Sequence, residues 1–243
     1  MSRVYSDTVL PEDSGVSQDQ TFGTTGDTVQ VTSGASLNVN TVKDAGGNTI
    51  FTSDGSGTLS SVNSGMTGKP GLITTNTVTG GAASAFTTGI DSTNKIYIFK
   101  FYQINPATDN VHFQFQLSTD GGSSYGMTIT STFFRAYHYE DNSGANVNYQ
   151  TTYDLAQSTS YQTVMYGMGN ATEEAGAGEL CIFNPSSTTY VKQFLCKTNS
   201  KENSNYSLNT CLGGYINSTD NVDAINFKMS SGNFDGIIKM YGM

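Results

Sequence analysis

From Leu72 to the last residue, apolar and polar side chains alternate in short runs, the period expected of half-buried strands. In VHFQFQL (111–117) this places Val111, Phe113, Phe115 and Leu117 on one face and turns His112, Gln114 and Gln116 toward water or a polar interface. The same period runs through KIYIFKFYQI (95–104), MTITSTFFRAYHY (127–139), YQTVMYGM (161–168), ELCIFN (179–184), TYVKQFLCKT (189–198), CLGGYIN (211–217) and INFKMS (225–230). Turn formers separate these runs, as in NPATDN (105–110), and NATEEAGAG (170–178) reads as a surface loop. No stretch holds a capped helical period, so helix content should be low. The pattern predicts an all-β chain ending in a jelly-roll-like antiparallel β-sandwich over residues 69–243.

The closing stretch NFKMSSGNFDGIIKMYGM (226–243) reads as a hairpin. Phe227, Met229, Phe234, Ile237, Ile238, Met240 and Tyr241 give it the apolar content of a core strand, not of a tail. The beginning differs. Residues 1–25 have no sustained period and contain Pro, Gly and acidic residues, which predicts an extended arm needing a partner surface. Residues 26–68 carry short alternating runs, TVQV, SLNVN and NTIF, with a turn at DAGGN and a redirection at SGMTGKPG. Such thin, polar strands bury too little to offset their backbone entropy alone, so contact with sister copies, as in a homotrimer, is expected.

Composition narrows the function classes. Only 13% of residues are charged, and the net charge of -9 with 11 basic residues argues against a phosphate-binding nucleic-acid partner. No run is apolar enough to insert in a membrane, and the first fifteen residues lack a secretory pattern, which predicts folding in a cytosol. Cys181, Cys196 and Cys211 are odd in number and too widely spaced for a clip, so free thiols are expected. Sequons begin at Asn170, Asn205 and Asn217, but Asn, Ser and Thr are abundant enough here to generate them by chance.

Candidate chemistry is sparse. GSSYG (122–126) matches Gly-x-Ser-x-Gly around Ser124, yet its setting reads as strand, turn, strand, whereas a nucleophile elbow joins strand to helix. His112 and His138 fall in no ligand motif, and the Asp residues neighbour turn formers, so no catalytic residue, metal or cofactor is assigned. Tyr137, Tyr139, Tyr149 and Tyr153 lie among amides and hydroxyls, the composition of a sugar-stacking surface, and are the candidate ligand contacts. Packing at subunit boundaries or half-burial in the sheet is the competing explanation for them.

The stretches GDTVQVTSGASLNVNTVKDAGGNTIFTSDGSGTLSSVNSGM (26–66), IYIFKFYQINPATDNVHFQFQLSTDGGSSYG (96–126), FNPSSTTYVKQF (183–194) and INFKMSSGNFDGIIKMYGM (225–243) resemble tail-fibre-like virion proteins of marine and cyanobacterial tailed bacteriophages. The resemblance implies a virion structural protein, assembled in the host cytoplasm and anchored to other virion proteins through residues 1–25. It implies a short trimeric fibre or spike for host attachment through a cell-surface glycan or protein, with capsid decoration as the alternative and glycan depolymerase a weaker one. It brings no catalytic residues.

Overall fold

The computed structural model describes residues 40–56, 59–60, 62 and 70–243, and the chain divides into two compact units, 1–66 and 67–243. The expected arm of residues 1–25, the runs TVQV and SLNV and most of SGMTGKPG lie outside the described residues. In the first unit, β1 (Thr41–Lys43), β2 (Thr49–Ser53) and β3 (Leu59–Ser60) form an antiparallel sheet in that order. The β1–β2 turn closes as DAGGN demands: Asp44 Oδ1 accepts the amides of Gly46 and Asn48 at 2.9 and 2.8 Å, and Gly47 takes a φ of 82°.

The second unit contains twelve strands and, among the described residues, no helix. They are β4 (Gly71–Gly81), β5 (Ala83–Phe86), β6 (Ile96–Pro106), β7 (Val111–Ser118), β8 (Ile129–Tyr139), β9 (Ala145–Tyr149), β10 (Gln162–Met168), β11 (Gly176–Phe183), β12 (Lys192–Glu202), β13 (Tyr206–Ile216), β14 (Ala224–Met229) and β15 (Phe234–Gly242). All pairings are antiparallel. One layer runs β4-β15-β6-β11 and the other β5-β14-β7-β10. Four consecutive pairs, β4/β5, β6/β7, β10/β11 and β14/β15, each split between the layers, which is the wiring of a jelly roll. The first layer continues through β12, β13, β8 and β9, and a single pairing of Met168 with Glu202 joins β10 to β12, so the two layers nearly close into a barrel.

Between the layers lies a core of phenylalanine. Phe227 of β14 is fully buried and meets Phe101 at 5.3 Å, Phe99 at 5.4 Å, Phe113 at 5.8 Å, Phe86 at 6.2 Å and Phe115 at 6.4 Å between ring centroids. Most of these contacts are edge-on or tilted, the arrangement that the ring quadrupole favours. The period-2 pattern delivers these side chains, since Phe99 and Phe101 share one face of β6, and Phe113 and Phe115 one face of β7.

Several expectations need correction. The closing stretch is no hairpin: β14 pairs with β7 and β5, while β15 pairs with β4 and β6, so Ser230–Asn233 cross between layers. Gln116 does not face water. It is fully buried, and its Nε2 donates to the carbonyls of Met127, Thr159 and Ser160 at 3.0 to 3.1 Å, because the segment after β9 folds over β7. The expected loop at 170–178 is shorter, as Gly176–Gly178 belong to β11, whose Gly178 would bring a Cβ within 2.4 Å of the Lys197 carbonyl. β4, β5 and β9 were not anticipated, being threonine-, alanine- or asparagine-rich runs with little apolar contrast.

Candidate functional site

β8 positions two of the four anticipated tyrosines. Its inward side begins with Ile129, Ser131 and Phe133 and continues past the phenylalanine core as Arg135, Tyr137 and Tyr139. There the facing surface is supplied by Tyr206 of β13, Tyr166 of β10 and Tyr153 from the segment after β9. Tyr153 stacks on Tyr166 at 4.5 Å and 22° and meets His112 edge-on at 5.2 Å. Tyr137 and Tyr139 lie 5.4 and 5.0 Å from Tyr206.

Arg135 sits among these rings. Its Cζ lies 4.9 Å from the Tyr137 centroid and 5.4 Å from that of Tyr166, its Nε donates to Asn148 Oδ1 at 2.9 Å, and an Nη1–H donates to the Tyr166 hydroxyl. Burial, with the Glu202 carboxylate beside it, pushes the Tyr206 phenol far above the ordinary tyrosine range. Burial likewise raises the phenols of Tyr166 and Tyr153. These tyrosines are protonated packing elements, unsuited to act as bases.

The four candidates therefore separate. Tyr137, Tyr139 and Tyr153 are half-buried against the core, whereas Tyr149 stands on the opposite side of the sheet, edge-on to Phe134 at 5.4 Å, with its hydroxyl donating to Asp154 Oδ2 at 2.5 Å. Tyr139 alone of the four borders a polar depression of about 300 Å³, shared with His138, Glu140, Asn199, Lys201 and Ser207. Lys201 there reaches Glu173 at 3.6 Å and Glu140 at 3.9 Å. Sugar hydroxyls could be met by such amide, hydroxyl and ammonium groups beside one aromatic edge.

The other candidate groups are engaged structurally. Ser124 lies in the turn after β7, donating to Asp120 Oδ2 at 2.6 Å, and Ser118 donates to Oδ1 at 2.6 Å; these bonds hold the Asp120 carboxyl down to about 2. His112 accepts the Gly167 amide on Nδ1 at 3.1 Å, and burial lowers its pKa. His138 Nε2 contacts Asn142 Oδ1 at 3.1 Å. Asp91 and Asp141 accept amides two residues ahead, at 2.8 and 2.9 Å, as turn aspartates do. Among the described residues, no group of three or more His, Cys, Asp or Glu could hold a metal ion. The cysteines are free thiols, Cys196 buried and Cys181 and Cys211 half-buried.

No family model, curated protein or solved structure matches this chain. The geometry must carry the functional argument. It adds residues that pattern reading passed over: Arg135, Tyr166 and Tyr206 inside, and Phe134, Val147 and Leu195 outside, where they are 48, 74 and 59% exposed. The outer group had a signal in the adjacent apolar pairs Phe133-Phe134 and Phe194-Leu195, since neighbours on a strand point to opposite faces.

Proposed function

We propose that this chain is a non-enzymatic structural protein of a tailed-phage particle, a short trimeric fibre or spike docked through residues 1–25 and projecting its β-sandwich for attachment to a host-surface glycan or protein. One observation carries the reading: exposed apolar side chains such as Phe134 and Leu195 stand on a strand surface, while the groups able to do chemistry are bound into turns and packing. Flat apolar surface suits contact between macromolecules, and catalysis calls for a concave site with free acid, base or nucleophile. The resemblance of the four quoted stretches to phage virion proteins supplies the biological setting. Jelly rolls also serve in viral capsids and lectins, an analogy of fold that lends compatibility and no function by itself.

Capsid decoration is the second reading, favoured by the breadth of that same apolar surface, which suits clamping neighbouring shell subunits. A glycan depolymerase would need paired carboxylates across a cleft, and Asp91, Asp120 and Asp141 are instead bonded to turn amides. The deciding experiment is cryo-electron microscopy of intact particles, with particles carrying a chain lacking residues 1–25 as the control. Tail density in tens of copies or fewer, lost on truncation, supports the spike; hundreds of copies on the shell support decoration; absence from particles refutes both. Purified protein that coats susceptible cells and blocks infection would establish attachment.

A further inference from the structure

The exposed apolar side chains of the second unit concentrate on one surface, the outer face of the layer β4-β15-β6-β11-β12-β13-β8-β9. Pairing aligns them. Leu72, Tyr241, Ile98, Cys181, Leu195, Gly213 and Thr132 are successive cross-strand partners over seven strands, so their side chains share one face in a single row. At about 4.8 Å per strand the row is roughly 29 Å long. Beside it, Lys197, Cys211, Phe134 and Tyr149 continue a second row. Gly213 leaves room for Leu195, whose Cδ2 would lie 3.0 Å from a Cβ there, and a depression of about 430 Å³ opens between Leu195, Phe134, Thr132 and Cys211.

We infer that this face is the contact surface between copies of the chain. The inference rests on the proposed self-association and assigns its location. On the other side of the first row, Ile96 with Phe183, and Gln193 with Tyr215 and Thr130, make a third. Three rows about 7 Å apart over that length span roughly 600 Å² before side-chain relief is counted, approaching the about 800 Å² per partner of a stable interface. An apolar centre with a charged margin is the anatomy of such an interface. The margin also selects the occupant. Lys100, Lys197 and Lys239 stand in the second row against two carboxylates, Glu179, which Lys100 engages at 3.4 Å, and Asp154 at the Tyr149 hydroxyl, in a chain of net charge -9. Lys239 lies over the Tyr102 ring at 5.5 Å, and Lys197 has no ion pair among the described residues. Two such faces laid together would oppose lysine to lysine. The acidic remainder of a neighbouring copy is the complementary surface, so the contact is heterologous, and in the proposed trimer it closes as a ring.

Cys181 and Cys211 lie on this face and Cys196 beneath it, 5% exposed, so the chain carries its own reporters. The experiment measures the mass of the full-length chain by light scattering, and maleimide labelling of its thiols, for wild type and for the double variant Leu195→Lys with Phe134→Lys. Both positions are exposed, and circular dichroism together with an unlabelled Cys196 checks that the variant is folded. The expected result is a wild-type oligomer with Cys181 and Cys211 labelled at least tenfold more slowly than in a monomeric variant. A wild-type monomer with both thiols readily labelled overturns the inference and the self-association together. A variant that stays oligomeric overturns the assignment of this face alone, and self-association then proceeds elsewhere.

Discussion

Replacing Phe227 by alanine tests whether one ring holds the two layers together. The side chain is fully buried and touches five other phenylalanines from β5, β6 and β7, so its removal strips contacts from both layers at once. Burying a phenylalanine and filling its volume is worth about 3–5 kcal/mol, judged from truncations at other cores. The upper part of that range applies here, because five rings anchored on three strands cannot all move inward to refill the space. An expected loss of about 4–5 kcal/mol is a large share of a typical stability of about 5–15 kcal/mol. For a unit of this size it lowers the midpoint of thermal unfolding by about 8–20 °C. Urea titration followed by far-ultraviolet circular dichroism and tyrosine fluorescence measures it, since the chain has 14 Tyr and no Trp to obscure them. A loss below about 1 kcal/mol at unchanged denaturant dependence would refute the claim that this ring closes the core.

Two further predictions concern charge. Tyr206, Tyr166 and Tyr153 have phenols raised by burial, so above the unfolded value near 10 the unfolded chain ionises them while the folded one does not. Stability is therefore complete below pH 10 and falls above it, by up to about 1.4 kcal/mol per pH unit for each such tyrosine; phenolate absorbance should appear together with unfolding, and smooth ionisation in the native state would contradict this. Lys192 is fully buried, with its ammonium donating to the carbonyls of Ser218 and Asp220, and Lys192→Met leaves those acceptors unpaired. A loss of about 1–3 kcal/mol with faster amide exchange confined to 217–222 is expected, and unaltered exchange there would count against the tether.

How much of this was legible depends on contrast between neighbouring residues. β7 announced itself because Val111, Phe113, Phe115 and Leu117 alternate with polar side chains, and the core contacts of Phe113 and Phe115 follow from that spacing. The same alternation misled at Gln116, since a strand's polar side is exposed only if nothing folds across it, and here Met127, Thr159 and Ser160 do. The terminal segment gave the strands and concealed the partners. Ser230–Asn233 is short enough for a hairpin, but Phe234 and Ile238 are needed against β6, and Phe227 against β7, so the chain crosses layers instead. The tyrosine cluster was visible as composition and illegible as geometry: Tyr149 faces away from Tyr137 because it lies on β9, opposite Phe134.

The bare outer face follows from the same scarcity of charge that made the chain look turn-rich. An eight-stranded jelly roll needs only the strands up to β11 in its first layer, and β12, β13, β8 and β9 extend that layer around toward β10, where Phe194 still meets Phe115 at 5.4 Å. The extension's inner side is covered by Tyr153, Tyr166 and Arg135, while the segment 150–158 bonds the free edge of β8, Gln150 to Phe133 at 2.9 Å, Leu155 to Ser131 at 2.9 Å and Ser158 to Ile129 at 2.8 Å. That leaves only the outer side to be made compatible with water, a task that antiparallel sheets ordinarily give to Lys, Glu and Thr. With 13% charged residues in the chain, the side holds Leu195, Val147 and Phe134 instead. Covering the inner side with its own tyrosines while leaving the outer side apolar is economical only if a second surface completes the sheet, the part proposed above for a neighbouring copy.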